Sequence, residues 1–249
     1  MMTPMPSLLS LHSVSLTIQN HRILQGVSFD VAEGEIVGLI GPNGSGKTTL
    51  FNVISGFLQG TGGQIRYRGE DLAPLPPSAR ARMGIGRVFQ NFGIFREMTL
   101  EENILVALEA LPREERTRMG DLRDAAREAI ALVGLQAFAK KKAGSLSGGQ
   151  MRLLEIARTF KAGKDLFLLD EPTAGVSPKM TSQVSALIKE LQSAGKTILV
   201  IEHDLPFIGR ICDRVVVLDV GKVVLQGKPG EVKESKELRE IYFGADPTT

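Results

Sequence analysis

The stretch Gly41-Pro42-Asn43-Gly44-Ser45-Gly46-Lys47-Thr48 fits the pattern G-x-x-x-x-G-K-[ST]. Such a loop is built to hold a phosphate chain. Backbone N–H groups must converge on phosphate oxygens, so side chains must be absent at Gly44 and Gly46. The positive end of the following helix, carrying Thr49, faces the same anion. Lys47 can bring charge to the β- and γ-phosphates, and the Thr48 hydroxyl can reach a Mg²⁺ ion. The plainer alternative is a glycine-rich turn with an exposed lysine. It fits less well, because a buried strand precedes the loop and a helix follows it.

A second chemical feature is Leu166-Phe167-Leu168-Leu169-Asp170-Glu171, an apolar strand that ends in two carboxylates. The C-terminal ends of strands in α/β sheets are where ligands bind. Asp170 can join the shell of a metal ion, and Glu171 can orient and deprotonate a water. Alone the pattern is common; after a phosphate loop it gains force.

The elements that must position these groups read as an α/β core. Val14, Leu16 and Ile18 alternate with polar residues, as do Val27, Phe29 and Val31, which predicts half-buried strands. Glu35–Ile40 is continuously apolar, like a strand buried on both faces, and Lys47–Ser55 is helix-compatible. Ile65 and Tyr67 predict a further edge strand. Thr99-Leu-Glu-Glu102 is a capping box that opens a helix through about Ala110. Arg113–Glu128 is charged and helix-compatible, with Gly134 as a stop beyond its apolar face. Strand and helix then alternate: Leu166–Leu169, a helix after Ser177-Pro178, Thr197–Ile201, Leu205–Ile211, Val215–Leu218 and Lys222–Leu225, with a helical tail over Glu231–Phe243. The predicted fold is a phosphate-loop core with a mainly parallel sheet, an antiparallel β subdomain and a helical insertion. The expected division is one domain: a core from about 8–90 and 161–249, and a helical part from about 91–160.

Composition narrows the classes. The 249 residues carry 30 Lys+Arg against 28 Asp+Glu, a formal net charge of +2, which argues against a nucleic-acid partner. The 27 glycines are about 11% of the chain, against a usual ~7%, and cluster where the backbone has local demands. A single cysteine, Cys212, cannot form an internal disulfide. No apolar run approaches the ~20 residues of a membrane helix. Met98, Met119 and Met151 read as helix packing.

Leu146-Ser147-Gly148-Gly149-Gln150 is first of all a capped helix start, whose free N-terminus can meet an anion. It also resembles the signature sequence of the ATP-binding cassette (ABC) ATPases. The order of phosphate loop, signature, acidic strand and histidine covers about Leu8 to Gln226. The resemblance implies ATP and Mg²⁺ as ligands and ATP hydrolysis as the reaction. It implies that Gln90, after Arg87-Val-Phe, senses Mg²⁺ or the attacking water, and that His203 contacts the γ-phosphate. It also implies that Ser147, Gly148, Gly149 and Gln150 meet the nucleotide of a second copy or a paralogue. By family analogy Asn91–Leu100 lies near a docking surface for separate transmembrane permease subunits. The chain would then sit peripherally at the cytoplasmic face of the inner or plasma membrane.

Two positions depart from the family pattern. Ser177 stands where an aspartate commonly ends the segment Thr173–Ser177. Ile18 falls where an aromatic usually stacks on adenine, with His21 as the nearest ring. Phe89–Phe95, Met98–Asn103 and Glu171–Val176 look most like branched-chain amino-acid importer ATPases. Lipopolysaccharide-export ATPases are the alternative, followed by a soluble assembly ATPase such as one in iron–sulfur cluster biogenesis.

Overall fold

The computed structural model describes residues 7–90 and 93–243. Asn91 and Phe92, two residues of the expected docking segment, lie outside it. Strands β1 (Ser7–Ile18) and β2 (His21–Ala32) form a hairpin whose turn residues, Gln19 and Asn20, have φ of 46° and 65°. Two positive φ values match the twist of the flanking strands. β3 (Ile36–Ile40) is buried at every position and runs through the glycine loop into α1 (Lys47–Ser55). β4 (Gly62–Tyr67) pairs with β1 and carries the two-residue β5 (Glu70–Asp71) on its other side, so β4 is not an edge. A short helix that the residue pattern had not suggested, α2 (Pro77–Met83), leads into β6 (Ile85–Val88).

The next segment is helical: α3 (Leu100–Glu109), α4 (Arg113–Met119), α5 (Leu122–Leu132) and α6 (Gly148–Lys161). The stretch expected as one helix from Arg113 is broken at Gly120, whose φ of 73° and ψ of −129° leave the helical region. Asp121 then restarts it as an N-cap, its carboxylate accepting from Arg123 N at 2.7 Å. The chain continues through β7 (Leu166–Asp170), α7 (Pro178–Ser193), β8 (Thr197–Ile201), α8 (Leu205–Ile211), β9 (Arg214–Asp219), β10 (Lys222–Gly227), α9 (Pro229–Glu234) and α10 (Lys236–Phe243). The tail expected as one helix is two. At Ser235 the backbone turns extended, and its hydroxyl accepts from Leu238 N at 3.1 Å.

Two sheets result. One is antiparallel, in the order β2-β1-β4-β5; the other runs β10-β9-β3-β8-β7-β6 and is parallel except for β10. The strands of the second sheet divide their side chains between two cores. Val37, Leu39, Leu166, Leu168, Leu199 and Ile201 face the antiparallel sheet and α1. Ile36, Ile40, Phe167, Leu169, Ile198 and Val200 face α7 and α8. This is why these strands read as continuous apolar runs: alternation is invisible when both faces are covered. A third core joins α3, α5 and α6 through Ile104, Leu108, Ala126, Ile130 and Leu154. Met151 is buried there and Met119 packs at its edge, but Met98 is exposed just before α3 rather than packed in a helix. Cys212 is buried at the end of α8. The parallel strands β3, β8 and β7 are neighbours, so their C-terminal ends deliver Gly41, Glu202-His203 and Asp170-Glu171 to one edge.

Candidate active site

The loop from Gly41 to Gly46 is held by close backbone contacts. Gly46 forms the N-cap of α1 with φ 104°. The tightest position is Gly41, where a Cβ would lie 1.9 Å from the Leu218 carbonyl oxygen. Gly44 needs its positive φ of 80° rather than space, since a Cβ there would meet nothing within 4 Å. Gly221, in the turn between β9 and β10, donates to Ser45 O at 3.0 Å, and Gly41 N donates to the Tyr242 hydroxyl at 3.0 Å.

Lys47 is buried, and its Nζ donates to Gly41 O at 2.8 Å and Pro42 O at 2.7 Å. Burial pushes its pKa down, and the nearby carboxylates of Glu171 and Asp170 push it back up. Asn43 and Thr48 are exposed, Pro42 and Thr49 half-buried, and Ser45 buried. A glycine-rich loop that opens a helix, with a lysine ammonium beside it, can bind a phosphate chain.

Asp170 and Glu171 have different surroundings. Asp170 is buried, and its Oδ2 accepts from Arg87 Nη2 at 3.1 Å. Burial raises the Asp170 pKa and Arg87 opposes the rise. Its Oδ1 is buried with no hydrogen-bond partner among the described residues. A buried carboxylate oxygen left without a donor calls for a cation, and Mg²⁺ takes one or two protein oxygens together with substrate phosphates. Asp170 therefore fits Mg²⁺, and the exposed Thr48 at the start of α1 carries a hydroxyl of the kind that joins such a shell.

Glu171 leaves the strand with φ 48°, a left-handed conformation that is uncommon for a residue with a side chain. Its N–H still donates to Ile201 O at 2.9 Å. Its carboxylate is gripped from both sides: Gln90 Nε2 donates to Oε2 at 2.7 Å, and His203 Nε2 lies 3.1 Å from Oε1. A carboxylate at a strand end, oriented by an amide and an imidazole, can position a water.

Lys47, Asp170, Gln90, Glu171 and His203 are thus brought to one edge, while the Ser147–Gln150 segment is not joined to them. Ser147 and Gln150 form the expected capping box, with Gln150 N to Ser147 Oγ at 3.3 Å and Ser147 N to Gln150 Oε1 at 2.9 Å. Among the described residues no hydrogen bond or ion pair links this helix start to the phosphate loop. Gly149 has a local reason to be glycine, because a Cβ would press on Met180 at 2.8 Å. Ser177 occupies the N-cap of α7 but makes no side-chain cap hydrogen bond, so its hydroxyl is exposed for another use. Ile18 is 42% exposed and sits directly across the hairpin from His21.

The sequence reading missed three sets of residues. In the sequence Arg87 stands out only as part of the run before Gln90. Its guanidinium also donates to Asn52 Oδ1 at 2.6 Å and Ser55 Oγ at 2.9 Å, and lies over the Phe89 ring at 4.7 Å, so it ties Asp170 to α1. Arg152 and Glu155 form a buried ion pair at 2.9 Å inside α6. Arg152 also donates to Phe89 O and, at 2.9 Å, to Gln90 O, while Glu155 Oε1 accepts from Phe89 N at 3.3 Å and Gly93 N at 3.1 Å. Two opposite charges three apart in a helix with apolar neighbours all round were the available signal. The third is Glu202, buried beside His203.

Comparison with known proteins shows the family. The ABC transporter family model matches residues 24–174. The branched-chain amino acid transport ATP-binding protein BraF of Pseudomonas aeruginosa is 40% identical over 89% of this chain and 91% of its own length. LivG of Escherichia coli K12, of the same description, is 37% identical over 95% of this chain and 98% of its own. The lipopolysaccharide export ATP-binding protein LptB of Acidithiobacillus ferridurans is 36% identical over 96% and 98%. A nucleotide-free ATP-binding cassette from an ABC transporter superposes with a TM-score of 0.86 at 30% identity, covering 96% of this chain and all of the other. A dimeric, post-hydrolysis cassette bound to ADP and Pi gives 0.77 at 29% identity, covering 89% and 98%. The chain belongs to the ABC transporter family, as one of its ATP-hydrolysing cassettes.

Proposed function

We propose that two copies of this cassette, or one copy and a paralogue, close around ATP and drive uptake of branched-chain amino acids through separate permease subunits. The observation that carries the catalytic part is the grip of Gln90 and His203 on Glu171 at the mouth of the phosphate loop. Gly41–Thr49 hold the phosphates, with Lys47 drawn from the loop carbonyls toward the β- and γ-phosphates. Glu171 orients the attacking water and takes its proton. Gln90 and His203 fix the carboxylate, and His203 meets the γ-phosphate. Asp170, Thr48 and Gln90 would hold Mg²⁺, which supplies neutralising charge to the phosphate oxygens when bound. Ser147, Gly148, Gly149 and Gln150 form a helix N-terminus without a phosphate of their own, so the second copy's nucleotide is the ligand they suit. The amino-acid substrate is suggested by BraF and LivG; LptB supports lipopolysaccharide export as the second reading.

Among the described residues no helix is long and apolar enough to cross a membrane. Phe57 is 56% exposed and packs edge-on against Phe89 beside a groove lined by Ser55, Pro77 and Arg80. We place permease docking at this face, on the cytoplasmic side of the membrane. Purification from native membranes should recover two hydrophobic permease subunits with the cassette. Recovery in a soluble complex alone would overturn the transporter reading.

Lys47→Ala should weaken ATP binding by about 10–150-fold, the range for a lost charged hydrogen-bond partner. Titration calorimetry checks it, and unchanged affinity would remove Lys47 from this role. Ile18 offers adenine only apolar contact, with no donor or acceptor to read a base edge, so ATP and GTP should bind within about tenfold of each other, about 1.4 kcal/mol. A much larger ATP preference in competition binding would contradict the placement of Ile18.

A further inference from the structure

Glu202 is 4% exposed at the end of β8, one residue before His203. A buried carboxylate needs donors, and these donors are informative. Oε1 accepts from Thr173 N at 2.8 Å and from the Thr173 hydroxyl at 2.6 Å. Oε2 accepts from the N–H of His203 at 3.1 Å. Thr173 lies two residues after Glu171, at the start of the segment that leads to Ser177. One carboxylate thus spans the gap between the ends of β7 and β8. The link closes a ring: Glu171 to His203 through side chains, His203 to Glu202 through the backbone, Glu202 to Thr173, and Thr173 back to Glu171 along the chain.

We propose that Glu202 is a positioning residue that locks the end of β8 to the segment after Glu171 and so holds His203 in register with the Glu171 carboxylate. The inference rests on the reading of Glu171 and His203 as hydrolytic partners. Its hydrogen bonds go to Thr173 and to the His203 N–H, so it acts through His203. Glutamine is the sharp substitution because it keeps the shape. If its amide oxygen stays on Thr173, its NH₂ faces the His203 N–H, donor against donor. If it flips, the clash moves to Thr173.

The experiment measures steady-state ATP hydrolysis and ATP affinity of the full chain for Glu202→Gln, His203→Ala and the double variant. Glu202→Gln should lower kcat by about 10²-fold, the effect of misplacing a reacting group by about 1 Å, with ATP affinity within about twofold. In the His203→Ala background the same change should cost nothing more, because its target is gone. Parent-like kcat in Glu202→Gln, with His203→Ala impaired, overturns this inference alone, as do losses that multiply in the double variant. Parent-like kcat in His203→Ala overturns both the inference and the underlying reading of His203. Should Glu202→Gln show no cooperative melting, Thr173→Val takes its place. It removes one hydroxyl donor and should lower kcat by about 2–10-fold, again only when His203 is present; a parent-like kcat there overturns the proposal.

Discussion

Glu171→Gln should lower ATP turnover by about 10²–10⁴-fold, the range for a lost general base, while ATP affinity stays near that of the parent. The amide has the shape of the carboxylate and still offers an oxygen to Gln90 Nε2, now 2.7 Å from Oε2. What it lacks is the capacity to take a proton from water. The phosphate loop, with Lys47 on the carbonyls of Gly41 and Pro42, is untouched. Single-turnover hydrolysis beside titration calorimetry separates the two terms. Turnover within tenfold of the parent would move the base to another residue.

Glu155→Ala should destabilise the fold by about 3–5 kcal/mol, the cost of deleting one partner of a buried ion pair. The thermal midpoint should fall by about 6–20 °C at the scale of 2–4 °C per kcal/mol for a chain of this size. Glu155 is fully buried, meets Arg152 at 2.9 Å, and satisfies the N–H groups of Phe89 and Gly93. Burial pushes its pKa up while Arg152 pulls it down. Because those backbone contacts flank Gln90, hydrolysis should fall along with stability. Glu97→Ala is the control. It breaks an exposed pair with Lys142 and should leave the midpoint unchanged. A midpoint for Glu155→Ala equal to that of the control would mean that the buried pair contributes nothing net.

Much of this molecule was legible from local pattern. β3, β7 and β8 announced themselves as short apolar runs because both of their faces are covered. The caps at Thr99 and Ser147 were legible because a capping box is a local device, complete within four residues. What escaped was non-local. Arg87 reads as one polar residue in a short strand until the fold brings Asp170, Asn52 and Ser55 around it. Glu202 reads as the residue before a histidine until Thr173 arrives from the turn after β7. The turn at Gln19-Asn20 lacks the glycine that usually marks a left-handed pair. The same distinction holds within the site. Local spacing located the phosphate loop and the acidic pair. The grip on Glu171 joins positions 90, 171 and 203, which only the parallel sheet places side by side.

In the proposed dimer the Ser147–Gln150 helix start of one copy completes the nucleotide site of another. Glu171→Gln makes it measurable, because a cassette that binds ATP without cleaving it should stay closed. Sedimentation of this variant should give a monomer without nucleotide and twice that mass with ATP and Mg²⁺. A monomer under saturating ATP would contradict the account.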